Sequence, residues 1–339
     1  MELALRLYAK PINESTNQLI LPLSLRMQFQ NLRIIFMGTP DFAVASLDAL
    51  VKAGCHIVGV ITAPDKPAGR GMKLTESAVK KYAVEKQLYI LQPEKLKNPE
   101  FIEQLRALKA DLQIVVAFRM LPEIVWSMPP MGTVNLHGSL LPQYRGAAPI
   151  HWAVINGEKE TGVTTFKLKH EIDTGDILLQ KSFPIGDDET TGEVHDRMKE
   201  TGAALLVETV KELAADGLEK IDQSAVVSRE SAVLRHAPKI FTEDCQINWN
   251  DTVDKIHNLI RGLSPFPGAL TVLDEKILKV FRSKKENISH HHPAGSVFSD
   301  GKTFLKFACK DGYIHILDLQ LGGKKRMLVE DFLRGYRLA

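Results

Sequence analysis

Leu32-Arg-Ile-Ile-Phe36, a helical stretch over 42–52 and an apolar run over 57–62 follow one another with short turns between them. An apolar run this continuous suits a strand covered on both faces, and strand–helix–strand order makes neighbouring strands parallel. The same alternation continues with helical periodicity over 76–86 and apolar runs over 112–118 and 133–137. A mostly parallel α/β sheet is therefore expected. Ligands of such sheets collect beyond the carboxyl ends of the strands, which singles out Gly38-Thr-Pro-Asp41, residues 118–122 and residues 137–145.

Further along, a helical stretch over 191–214 closes the first region, and 216–236 is polar with little periodicity. After a helical piece at 253–262 the pattern changes to short alternating runs, 277–281, 303–309 and 313–319, separated by Gly, Asp and Lys turns. That predicts a small β-barrel or sandwich carrying a helix. The organisation read from the chain is residues 1–26 as an N-terminal extension of weak or no order, 27–215 as a catalytic domain, 216–236 as a linker and 237–339 as a second domain.

A length of 339 residues, with 44% hydrophobic and 25% charged side chains, is ordinary for a two-domain globular chain. The apolar runs stop well short of the roughly 18 residues that cross a bilayer. Cys55, Cys245 and Cys309 are too few and too scattered for a disulfide framework or a paired Cys-x-x-Cys zinc site. A cytoplasmic enzyme fits this usage. The overall charge of +2 is uneven: from His236 onward there are 16 Lys and Arg against 12 Asp and Glu. Eight of those cations lie between Lys276 and Lys310, facing only Glu286 and Asp300. Such a stretch suits a polyanion such as RNA, and equally a solvated surface.

Two nucleotide motifs are excluded. A dinucleotide fold needs Gly-x-Gly-x-x-Gly after its first strand, where this chain has Gly38-Thr-Pro-Asp-Phe-Ala43. Gly301-Lys-Thr303 ends like a phosphate loop, but Ser296 stands where the first glycine belongs. His290-His-His292 reads as part of a solvent loop rather than a metal site.

The densest chemistry is in Thr133-Val-Asn-Leu-His-Gly-Ser-Leu-Leu-Pro-Gln-Tyr-Arg-Gly146. Asn135 and His137 lie two apart on a strand, so their side chains share a face. An amide donor beside an imidazole can hold a developing oxyanion and exchange a proton near neutral pH. Taken alone, the pair fits a structural role as well. Arg145 reads as a residue tying down the Gly-containing segment, with ligand contact as the alternative.

His137-x-Ser-Leu-Leu-Pro-x-x-Arg-Gly146 followed by Ile172-Asp-Thr-Gly-Asp176 resembles the signature of the 10-formyltetrahydrofolate-dependent formyltransferases. The likeness runs from about Leu32 onward and includes Arg33-Ile-Ile-Phe-Met-Gly-Thr-Pro-Asp-Phe42 and the Pro/Gly loop over 63–74. It implies a Rossmann-like domain with a mostly parallel sheet, followed by a small OB-like β-barrel domain. It implies Asn135, His137 and Asp173 as the catalytic group, and 10-formyltetrahydrofolate as formyl donor, with no metal. A flat pterin needs an apolar slot edged by main-chain groups, expected from Ser139, Leu140, Leu141, Pro142, Phe118 and Met120. The implied acceptor is the methionine amine of initiator methionyl-tRNA. Its acceptor end would be met by Arg70 and Lys73, and its backbone by Lys279, Arg282, Lys284 and Lys302. No membrane is implied, and a monomer is.

Two departures are visible. Lys167-Leu-Lys-His-Glu-Ile172 is more charged than the family's usual segment, and Phe118-Arg-Met120 replaces a more frequent Tyr-Gly-Leu. Three rivals remain: formyl transfer to a small amine such as glycinamide ribonucleotide or an amino sugar nucleotide, hydrolysis of 10-formyltetrahydrofolate, and RNA binding without catalysis. The loop over 63–74 and the basic final domain weigh against a small acceptor.

Overall fold

The computed structural model describes residues 29–68, 73–229 and 233–337. The expected extension over 1–26 lies outside them. The described residues form two compact units. Among the described residues one draws on 29–68, 73–142, 162–181 and 198–229, the other on 143–161, 182–197 and 233–337. Each unit therefore takes more than one stretch of chain.

In the first unit, β1 (Arg33–Gly38) and β2 (His56–Ile61) flank the helix Asp41–Lys52. A two-stranded hairpin of β3 (Lys66–Ala68) and β4 (Lys73–Thr75) precedes β5 (Ile90–Leu91), β6 (Leu112–Val116) and β7 (Thr133–His137). The helices Ala78–Glu85 and Pro99–Ala107 start where local chemistry favours a start: Ser77 caps the first, and Asn98 with Pro99 opens the second. Beyond β8 (Arg145–Gly146) come β9 (Glu160–Lys167) and β10 (Ile177–Pro184).

The main sheet has the order β10-β9-β7-β6-β1-β2-β5. β7, β6, β1, β2 and β5 run parallel, and β9 runs antiparallel to β7. All five residues of β6 and five of the six in β1 are buried, as the continuous apolar runs required. The antiparallel edge was not apparent in the sequence. β9 carries three buried threonines, and polar residues of this kind do not mark a buried strand in a sequence.

The second unit contains β11 (His236–Ala237), paired with β8, and an antiparallel sheet of β12 (Ala269–Leu273), β13 (Lys276–Glu286), β14 (Val297–Ser299), β15 (Leu305–Cys309), β16 (Gly312–Leu321) and β17 (Met327–Leu328). Its order is β12-β13-β16-β15-β14, with β17 on β16. No ladder joins β12 to β14 among the described residues, so the expected barrel takes the form of a curled half-barrel. The helix Val253–Gly262, capped by Thr252, buries Val253, Ile256 and Ile260 in a core shared with Leu278, Phe307, Ile314 and Phe332.

Candidate functional site

β6 and β7 are parallel neighbours, so the chain leaves both at the same edge of the sheet. Val115 stands opposite Asn135 on one side of β7, while Phe166 and Thr164 of β9 stand opposite Asn135 and His137 on the other. Asn135 is half-buried and His137 is 7% exposed. The His137 ring meets Phe166 edge to face, with centroids 6.4 Å apart. Asp173 arrives from the loop between β9 and β10, and its Oδ2 lies 3.8 Å from His137 Nδ1. Both side chains are largely buried, so His137 and Asp173 face each other at the carboxyl end of β7, the strand that also carries Asn135 two residues earlier.

The segment after His137 is fixed by a residue that sequence reading missed. Thr164 Oγ1 donates to the Ser139 carbonyl at 2.7 Å and accepts from the Leu141 N–H at 3.1 Å and from Gln180 Nε2 at 2.8 Å. Gln180 Nε2 also donates to the Leu141 carbonyl at 2.8 Å. One hydroxyl thus uses its single proton and both lone pairs. A threonine within an apolar strand gives no sign of this task.

Leu141 is buried against Phe166 and Ile177, with Leu168 and Ile221 alongside. Its side chain belongs to the core, and its N–H and C=O are both engaged, so it shapes the segment from beneath. Ser139 and Pro142 are buried and Leu140 is half-buried. Phe118 is half-buried and packs against the core that contains Val115 and Val125, whereas Met120 is 74% exposed. Arg119 is tied to the Pro93 and Glu94 carbonyls and lies over the Phe118 ring. The unusual Phe-Arg-Met segment is thereby anchored through its middle residue.

The charged segment before Asp173 also has physical uses. Lys167 Nζ donates to the Met131 carbonyl at 2.6 Å, and burial pulls its pKa down. Lys169 Nζ pairs with Asp176 Oδ1 at 2.6 Å, across the base of the loop that carries Asp173. The Lys167 N–H donates to the Asp176 carbonyl at 3.0 Å, closing the same loop through the backbone.

Arg70 lies outside the described residues; Lys73 begins β4, whose hairpin is rooted by the Lys80–Asp65 ion pair and by Gln92 on the Ala63 carbonyl. Lys279, Arg282 and Lys284 recur along β13, but Arg282 is engaged by Glu193 at 2.6 Å and Lys279 donates to the Pro267 carbonyl. Lys302 sits in a turn organised by Asp300. Arg145 and Gly146 form β8, and a Cβ on Gly146 would stand 2.4 Å from the Ala237 carbonyl oxygen. His290–His292 lie in a loop as expected, His291 and His292 exposed, while the His290 ring sits 4.5 Å from that of Tyr313 and contacts the Gly312 carbonyl. Among the described residues no group of three or more His, Cys, Asp or Glu could hold a metal ion, and no helix is long and apolar enough to cross a membrane.

Comparison with known proteins matches residues 32–210 to the family described as formyl transferase and 239–337 to the formyl transferase C-terminal domain. A methionyl-tRNA formyltransferase from Phocaeicola vulgatus is 56% identical over 317 residues, spanning 92% of this chain and 98% of the relative. One from Bacteroides fragilis is 53% identical over 317 residues, spanning 92% and 97%. Among solved structures, an N-formyltransferase from Helicobacter canadensis, determined with folinic acid and dTDP-3-aminofucose, is similar at a TM-score of 0.61. It is 19% identical and covers 87% of this chain and all of its own, a likeness of fold.

Proposed function

The chain belongs to the formyl transferase family, and we propose that it moves the formyl group of 10-formyltetrahydrofolate onto the methionine amine of initiator methionyl-tRNA. What supports the chemistry is Asp173 standing 3.8 Å from His137, with Asn135 two residues before His137 on the same strand. The choice of acceptor rests on relatives of more than half identity along nearly the whole chain, all spanning both units' sequence.

The folate supplies an activated formyl carbon. Asn135 donates to the formyl oxygen as it gains negative charge, and the His137 ring donates to the same oxygen. Asp173 orients the imidazole and receives a proton from the attacking amine, directly or through a water. As the bond from the formyl carbon to N10 breaks, the proton returns to N10, and amide and tetrahydrofolate leave. Leu140, Phe118 and the exposed face of Met120 offer apolar surface for the pterin, next to a backbone held still by Thr164. Lys279, Lys284 and Lys302 would meet the tRNA backbone, and Arg70 and Lys73 its acceptor end. The protein acts as a monomer in the cytoplasm.

The test is a product assay with charged methionyl-tRNA and 10-formyltetrahydrofolate. N-formylmethionine recovered after deacylation supports the reading. Tetrahydrofolate released with free formate, and no formylated RNA, would replace it with hydrolysis.

A further inference from the structure

The stretch read as a linker contains a side chain that reaches the catalytic loop. Gln223 opens the helix Gln223–Arg229 and is 1% exposed. Its Nε2 donates to the Asp173 carbonyl at 3.0 Å and to the Gly175 carbonyl at 2.7 Å. Ile221, two residues earlier, exchanges both backbone hydrogen bonds with Ile177, at 2.8 and 3.0 Å. Asp222 caps the helix by accepting from the Ser224 N–H at 2.8 Å. The glutamine is thus fixed at its own base before it reaches the loop.

That loop needs an outside hold. Asp173 has φ of 55°, in the left-handed region that side chains other than glycine adopt at a cost. Thr174 Oγ1 donates to the Glu171 carbonyl, and the Lys169–Asp176 pair closes the base. These contacts close the loop on itself; Gln223 ties its two central carbonyls to a separate element.

We infer that Gln223 is a positioning residue for the reaction: by holding the Asp173 and Gly175 carbonyls it keeps the Asp173 carboxylate turned toward His137. This rests on the proposed role of Asp173. Glutamine suits the task because one amide nitrogen carries two protons, one for each carbonyl. An alanine or methionine would leave the buried Gly175 carbonyl and the partly buried Asp173 carbonyl without that donor.

The test is a double-mutant cycle on the full-length protein. Gln223→Ala and Gln223→Met are each made in the natural background and with Asp173→Asn, and single-turnover formylation of methionyl-tRNA is followed. Misplacement of a catalytic group by about 1 Å costs on the order of 100-fold. The expected loss in kcat is therefore about 10- to 100-fold for either variant, with KM for both substrates nearly constant. In the Asp173→Asn background the further loss should be under about two-fold, the mark of residues acting through one another. An equal loss in both backgrounds, an effect carried by KM, full activity, or failure of both variants to fold would overturn the inference. A fully active Asp173→Asn enzyme would instead remove the catalytic reading of Asp173 itself.

Discussion

His137 Nδ1 and Asp173 Oδ2 stand 3.8 Å apart, longer than a direct hydrogen bond. In the proposed reaction this separation would leave the carboxylate room to take a proton from an amine while still facing the imidazole.

Replacing Asn135 with alanine removes a neutral donor without disturbing the His137–Asp173 pair. Loss of one oxyanion donor costs about 100- to 1,000-fold in rate. Single-turnover formylation should fall in that range with an unchanged thermal midpoint. A variant of full activity would show that Asn135 does not face the reacting oxygen.

Thr164→Val keeps the shape of the side chain and deletes its hydroxyl. The Ser139 carbonyl then loses its donor, and the Leu141 N–H and the Gln180 amide lose an acceptor. A buried polar group left unsatisfied costs about 1–3 kcal/mol. The thermal midpoint should fall by several degrees and KM for 10-formyltetrahydrofolate should rise, because the segment after His137 loosens. Unchanged values for both would contradict the pinning role.

Gly175→Ala places a Cβ 1.6 Å from the Lys167 carbonyl oxygen, where neither backbone can yield without moving the loop. Formylation should drop by at least about 100-fold, as expected for displaced catalytic geometry. Circular dichroism should show the remaining structure retained. Normal activity would mean that the loop is free to relax, and that Asp173 does not depend on its shape.

His257 is 2% exposed, with Nδ1 3.0 Å from Ser283 Oγ and Nε2 3.2 Å from Asp188. Burial holds its pKa below the ordinary histidine value, against an opposing pull from Asp188. The unfolded chain therefore takes up the proton first, at about pH 6.5. Stability from the neutral ring is present above that pH and is lost as pH falls toward the folded-state value. Denaturant midpoints should decline as pH falls below about 6.5, and His257→Asn should flatten that decline. An equally steep decline in the variant would assign it to other groups.

The parallel sheet was legible because buried strands need unbroken apolar runs, and those runs are present in β1, β2 and β6. Asn135 and His137 were legible because alternation along a strand puts them on one face. Asp173 came from a resemblance, since nothing local says that a loop aspartate returns to β7. Thr164, Gln180 and Gln223 were not legible at all. Their work is with backbone carbonyls and amides distant in sequence, and composition carries no trace of that. The polar stretch over 216–236 read as a linker for the same reason: the one buried glutamine in it cannot be told from its exposed neighbours.

Asn135, His137 and Asp173 are proposed to deliver a formyl group to an amine carried on initiator tRNA. The most direct measurement is the rate of formyl transfer from 10-formyltetrahydrofolate to charged initiator methionyl-tRNA, set against charged elongator methionyl-tRNA and glycinamide ribonucleotide under the same conditions. The account predicts rapid formylation of the initiator, at least about tenfold slower reaction of the elongator, a discrimination of roughly 1.4 kcal/mol, and none of the small amine. Formylation of glycinamide ribonucleotide with no transfer to either RNA would contradict it.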